Sequence, residues 1–199
     1  MNKLLIAKYK CEDIYNKLCK NLELTNVILE LQIISDVCVQ FNESARLAIK
    51  DGALAGTCAN FMVNIGDNIN DTSTTIKYIY CSIFIPESII KKIIYKCKFK
   101  PWNFNFCISF ILRHELGHVI DFKDYIGQTV MECNRSVEKE LKILNDIKSS
   151  LYGNKSYLNL DEWKKLNKSS IEKRANKIAK ITDKDLEKFY SIVLRNEGE

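Results

Sequence analysis

Apolar and polar residues recur along this chain with changing periods, and the changes mark out its elements. Residues 9–22 show helical spacing, with Ile14, Tyr15 and Leu18 on one side. Residues 25–35 are apolar and fit either a helix or a strand. From Asp36 to Pro86 the pattern shortens. Val37–Phe41 is a short apolar run, Phe61–Ile65 is largely apolar, and Ile76–Pro86 is dense in Ile, Tyr, Phe and Cys. Segments containing Gly52, Gly56, Gly66 and Asn68–Thr75 separate them, which predicts a small, mostly antiparallel sheet of three or four strands.

Helical spacing then takes over. A helix is predicted over Glu87–Lys98, just after Pro86, and a strongly apolar one of about five turns over Trp102–Phe122. Thr129–Ser150 follows, with Val137, Leu141 and Leu144 on one face. Asp161–Leu166, Ser170–Lys180 and Asp183–Asn196 are shorter candidates, and Thr182 with Asp185 three residues on is a capping signal for the last. The order predicts an α+β fold, a small sheet packed on a helical bundle. Without an internal repeat or a Gly/Ser/Pro linker, residues 1–199 read as a single domain. Its parts are a helical segment over 1–35, the sheet over 36–86, helices over 87–122 and a second helical part over 123–199.

Composition narrows the function classes. Hydrophobic residues make up 46% and charged residues 28%, enough for a real core and a solvated surface. No apolar run approaches the roughly 20 residues of a membrane helix, and the apolar start is shorter than the roughly 7–15 residues of a secretory core segment. A soluble, unexported chain with no membrane partner is expected. The net charge is +5, carried by 25 Lys and only 5 Arg. Arg is the residue that forks onto phosphates and guanine edges, so direct nucleic-acid binding is not expected. The eight cysteines contain no Cys-x-x-Cys pair and several sit beside apolar residues. They read as reduced, mostly buried thiols, which suits the cytoplasm.

The candidate chemistry lies in one pentapeptide. The only two histidines stand four apart around an acid, His114-Glu115-Leu116-Gly117-His118. Two histidines placed at random fall four apart in about 1% of arrangements, so the spacing is treated as chemistry rather than accident. Four residues turn a helix by about 400°, so both imidazoles leave one face, within reach of a single Zn²⁺. Glu115 lies about 100° round from His114. It borders an open coordination position, where it can take a proton from attacking water and pass it to a leaving amine. Gly117 would let another backbone approach this helix. Asp121, three after His118, is a candidate acceptor that orients a histidine from outside the ligand set, or else a solvated acid near Lys123.

A catalytic zinc of this kind needs a third protein ligand, and without a third histidine a carboxylate is expected. Glu132, Glu138, Glu140 and Glu172 are available. Glu138 sits in a charged stretch that reads as a solvated helix face. Glu172 is preferred because Ala175 and Ala179 share its face, and small residues there would let its helix press against Gly117. The oxyanion of peptide hydrolysis needs a further donor, for which Tyr152 and Tyr157 are candidates.

His114-Glu115-Leu116-Gly117-His118, preceded by an apolar helix and a small sheet, resembles the zinc motif of the ImmA/IrrE metallo-endopeptidases. Glu172-x-x-Ala175-Asn176-x-Ile178-Ala179 resembles that family's second motif. The resemblance spans roughly residues 76–180. It implies a gluzincin-type, zincin-like core in which His114, His118 and Glu172 bind Zn²⁺ and Glu115 activates water. It implies a peptidase of phages, mobile elements or stress responses, whose protein substrates are DNA-binding repressors. The 53 residues between His118 and Glu172 would hold an inserted helix and loop. A zinc-containing regulatory protein with a peptidase-like fold and little activity is the alternative. Glu115 argues against it, because a purely structural site has no use for that acid.

Overall fold

A computed structural model of the chain describes residues 2–48, 54–64, 66–68, 71–98, 100–152 and 158–195. The chain opens with α1 (Lys3–Cys19), β1 (Val27–Ile34), α2 (Asp36–Phe41), α3 (Glu43–Ala48), β2 (Gly56–Met62) and β3 (Tyr78–Pro86). Helices follow: α4 (Glu87–Lys96), α5 (Pro101–Lys123), α6 (Val130–Tyr152), α7 (Leu160–Leu166), α8 (Ser170–Ile178) and α9 (Asp183–Phe189), which runs into a π-helical turn over Tyr190–Leu194. The α+β class expected from the sequence is what the chain forms.

The sheet corrects the sequence reading in three respects. Its order is β1-β3-β2, and β1 runs parallel to β3 while β2 runs antiparallel. It is therefore mixed rather than mostly antiparallel. Its first strand is drawn from the segment 1–35 that was assigned to helix. The run Val37–Phe41 is helix α2, not strand. Ser35 caps it, its hydroxyl accepting from the Cys38 amide at 3.2 Å, and Val37 and Phe41 are 63% and 85% exposed. The apolar run there covers no core face.

β3 is buried because it is central. Ile79, Cys81, Ile83 and Ile85 are wholly inaccessible, and Ser82 and Phe84 on its other face are nearly so. A strand covered on both faces reads as a continuous apolar run, as Ile76–Pro86 does.

α5 is the axis of the molecule. Pro101 stands at its first turn, where a missing N–H costs nothing. Eight of its apolar side chains, from Phe104 to Val119, are buried. On one side it meets α1 and the sheet, on another α8 and α9. Phe110 stacks on Phe189 at 4.4 Å between centroids, and Trp163 of α7 lies 5.9 Å from the same ring. Burying such rings contributes about 1.5–3 kcal/mol each and holds the C-terminal helices on α5. The turn after α5 is stitched to the approach to β3. Gly127 (φ +89°) donates to the Ile76 carbonyl at 2.9 Å, and Ile76 donates to that of Gln128 at 2.9 Å.

α8 stops short of the expected Lys180. Lys180 adopts φ +53°, and the amides of Lys180 and Ile181 donate to the carbonyls of Lys177 and Asn176, which closes the helix in a Schellman motif. The capping signal expected for α9 forms in both directions between Thr182 and Asp185. Among the described residues, no helix is long and apolar enough to cross a membrane.

All eight cysteines are free thiols. Cys11 and Cys81 are completely inaccessible, and burial pushes each thiol up to about 12, with the charges of Glu12 and Cys58 respectively adding to it. Cys38 on α2 is exposed. A thiol-reactive dye at pH 8 is expected to label Cys38 promptly and Cys11, Cys81 and Cys107 only as fast as the protein unfolds. Peptide mapping that finds Cys11 labelled as fast as Cys38 would contradict this packing.

Candidate metal centre

The two histidines lie side by side on α5, as four-residue spacing requires. Their rings stand edge to face at 4.8 Å between centroids, and their Nε2 atoms are 3.2 Å apart. Glu172, in the first turn of α8, reaches between them. Its Oε2 lies 2.9 Å from His114 Nε2 and 3.7 Å from His118 Nε2. The three side chains are 16%, 11% and 17% exposed, so the cluster opens to solvent without standing in it.

Close helix packing makes this reach possible. A Cβ built on Gly117 would fall 2.3 Å from the Ala175 carbonyl oxygen and 2.9 Å from its carbon. The backbones of α5 and α8 therefore touch at Gly117 and Ala175, the pair of small residues that the sequence singled out. Glu172 stands three positions before Ala175, on the same face of α8.

Charge settles into the cluster. Burial disfavours an ionised Glu172, but hydrogen bonds from His114 and His118 more than offset it and hold the carboxyl well below the usual carboxylate range. Burial likewise opposes a charged His114. The Glu172 hydrogen bond and charge outweigh it, helped by the charge of Glu115 and by Asn176, and lift the imidazole to about 9.

Asn176 is a functional residue that sequence reasoning left without a role. Its Oδ1 lies 2.9 Å from His114 Nδ1, and its Nδ2 donates to Asn167 Oδ1 at 3.2 Å. The amide oxygen only accepts, so Nδ1 carries the proton of this hydrogen bond and Nε2 is turned toward Glu172. The signal was present in the spacing, since Asn176 is four residues after Glu172 and shares its face. Thr57 was also missed. It stands on β2, far away in sequence, and its hydroxyl donates to Glu115 Oε2 at 2.8 Å. Glu115 is 5% exposed.

Asp121 is placed differently from expectation. Its carboxylate accepts from Arg174, with Nε at 2.8 and 3.1 Å and Nη2 at 2.9 Å, and the histidine acceptor role falls to Asn176 instead. Arg174 also holds Glu140 at 2.8 and 2.6 Å. Of the other Glu candidates, Glu138 is exposed on α6 and Glu132 bonds to Thr129 at its start. Tyr152 ends α6, and Tyr157 lies outside the described residues.

The donor set can be tested against a metal by distance alone. Ligands at about 2.0–2.1 Å from a tetrahedral ion are about 3.3 Å from one another. The observed separations of 2.9, 3.2 and 3.7 Å bracket that value. Two imidazole nitrogens and a carboxylate oxygen are also the donor types that suit Zn²⁺. Compared with protein-family models, with curated proteins and with solved structures, the chain matches none.

Gly117→Ala weighs two effects against each other. Alanine contributes about 1 kcal/mol of helix propensity. The added methyl would overlap backbone atoms of α8, and overpacking costs about 1–3 kcal/mol where neighbours can yield. Backbone yields least, so a net loss of about 1–2 kcal/mol is expected in urea denaturation; a raised midpoint would show that the two helices are not in contact here.

Proposed function

We propose that this chain is a zinc-dependent endopeptidase that hydrolyses a peptide bond in a specific cytoplasmic protein. The observation that carries the reading is the convergence of His114, His118 and Glu172 at metal-ligand spacing, with the carboxylate of Glu115 on the next residue of the same helix. Zn²⁺ held by these three residues would supply Lewis-acid polarisation and a water of lowered pKa.

The remaining work falls to the chain's own groups. Glu115 would take a proton at its carboxylate and return it to the leaving amine, and the Thr57 hydroxyl fixes which way that carboxylate points. Asn176 holds the His114 ring so that Nε2 faces the cluster. The substrate must lie extended past these groups. The segment Ile76–Pro86 looks suited to pair with it from sequence, but β3 is the central strand and is already paired on both sides. The edge strand β2 takes that role in this proposal, because it carries Thr57 against Glu115 and an edge offers main-chain hydrogen bonds to an incoming strand.

Resemblance to the ImmA/IrrE motifs supports a repressor as the substrate, and the thiol-rich composition supports the cytoplasm. Neither nucleic acid nor membrane enters the reading as a direct partner.

The purified protein is expected to carry about one Zn²⁺ per chain, and His114→Ala, His118→Ala or Glu172→Ala to lose most of it, whereas Glu138→Ala keeps it. Glu115→Gln should retain the metal and lose hydrolysis by orders of magnitude. The readout is metal analysis, with a mass-spectrometric comparison of host proteomes expressing wild type or Glu115→Gln. Zinc retained by the double histidine variant sinks the site. Zinc without any Glu115-dependent cleavage moves the protein to a regulatory, non-cleaving role.

A further inference from the structure

Arg174 stands two residues after Glu172 and makes five hydrogen bonds of 2.6–3.1 Å to Asp121 on α5 and Glu140 on α6. The proposed chemistry uses none of these three side chains. Arginine is also scarce here, five against 25 lysines, and this one stands where a planar fork can hold two carboxylates at once.

We infer that Arg174 is a positioning residue for the metal centre: by clamping Asp121 and Glu140 it fixes the rotation and register of α8 on α5, and so the place of the Glu172 carboxylate. The inference rests on the reading of His114, His118 and Glu172 as metal ligands. Its geometry is that of two pins. At one end Asn176 of α8 bonds to His114, and at the other Arg174 of α8 bonds to Asp121. His114 and Asp121 are seven residues apart, about two turns or 10 Å along α5. Between the pins lie the Gly117–Ala175 contact and Glu172 itself. A helix pinned at one point can roll. A roll of about 20° would carry a carboxylate about 6 Å from the axis through about 2 Å, enough to spoil a metal-ligand distance.

The clamp also explains why α6 belongs to the site although it supplies no ligand. Glu140 ties this helix to the same guanidinium, so the segment separating His118 from Glu172 in sequence supports Glu172 in space.

The test measures metal alone, on the full chain. Zn²⁺ is titrated against a chromophoric chelator at a temperature where circular dichroism shows the metal-free protein fully folded, and Co²⁺ absorption reports ligand geometry. Arg174→Lys keeps the charge but loses the fork; it is expected to weaken Zn²⁺ by about 10–100-fold and to alter the Co²⁺ bands. Glu140→Gln, which leaves the Asp121 bonds in place, should weaken it less, and Lys177→Gln on the exposed side of α8 not at all. A role confined to fold stability would lower the melting temperature and leave the dissociation constant of the folded protein unchanged. A folded Arg174→Lys with wild-type affinity and wild-type Co²⁺ bands therefore overturns the inference. If Arg174→Lys does not fold, Glu140→Gln decides, and wild-type affinity there overturns it. Failure of the wild type itself to bind one Zn²⁺, or affinity indifferent to His118→Ala, would instead bring down the metal reading.

Discussion

Backbone contact between α5 and α8 at Gly117 and Ala175 governs the rest of the site. A Glu side chain is short, and it reaches both imidazoles from a neighbouring helix only if the two helix axes come unusually close. Glycine in a helix interior costs stability, and the chain accepts that cost at the one position between its two histidines. The same approach brings Asn176 within 2.9 Å of His114 and Arg174 within 2.8 Å of Asp121. Ligand, ring orientation and clamp thus descend from a single pair of small residues.

Electrostatics follows from that packing. Glu172 remains ionised in a partly buried setting because two imidazoles face it, and His114 holds its proton because Glu172 and Glu115 flank it. Neither group would keep its charge there alone, since burial opposes both. The site is a mutually dependent cluster rather than three residues that happen to be near one another.

The parts legible in the sequence were those written in local spacing. His114, Glu115 and His118 declare themselves within five residues. Glu172 could be preferred over Glu138 because Ala175 and Ala179 mark a face made for close packing. What stayed hidden depends on contacts across the fold. Thr57 meets Glu115 only because β2 lies at the sheet edge beside α5, and nothing near Thr57 announces that. Asp121 has the spacing of a histidine partner, but a guanidinium from α8 outcompetes the imidazole for it. The parallel pairing of β1 with β3 was equally invisible, because alternation within a strand reports which face is buried and not which neighbour it has. Val37–Phe41 misled because its apolar residues face outward on a helix capped by Ser35, so apolarity there did not signal burial.

The strand order has a consequence for how the molecule assembles during synthesis. β3 is made last of the three strands yet lies in the middle, paired in parallel with β1 and antiparallel with β2. Val27 meets Ile79 across 52 residues, while Met62 meets Tyr78 across only 16. Loop-closure entropy favours the shorter pairing, so β2 and β3 form the earlier hairpin-like unit and β1 closes onto it afterwards. Until Pro86 has left the ribosome, β1 and β2 both present unpaired edges to the cell, and the growing chain depends on the arrival of a single strand to hide them.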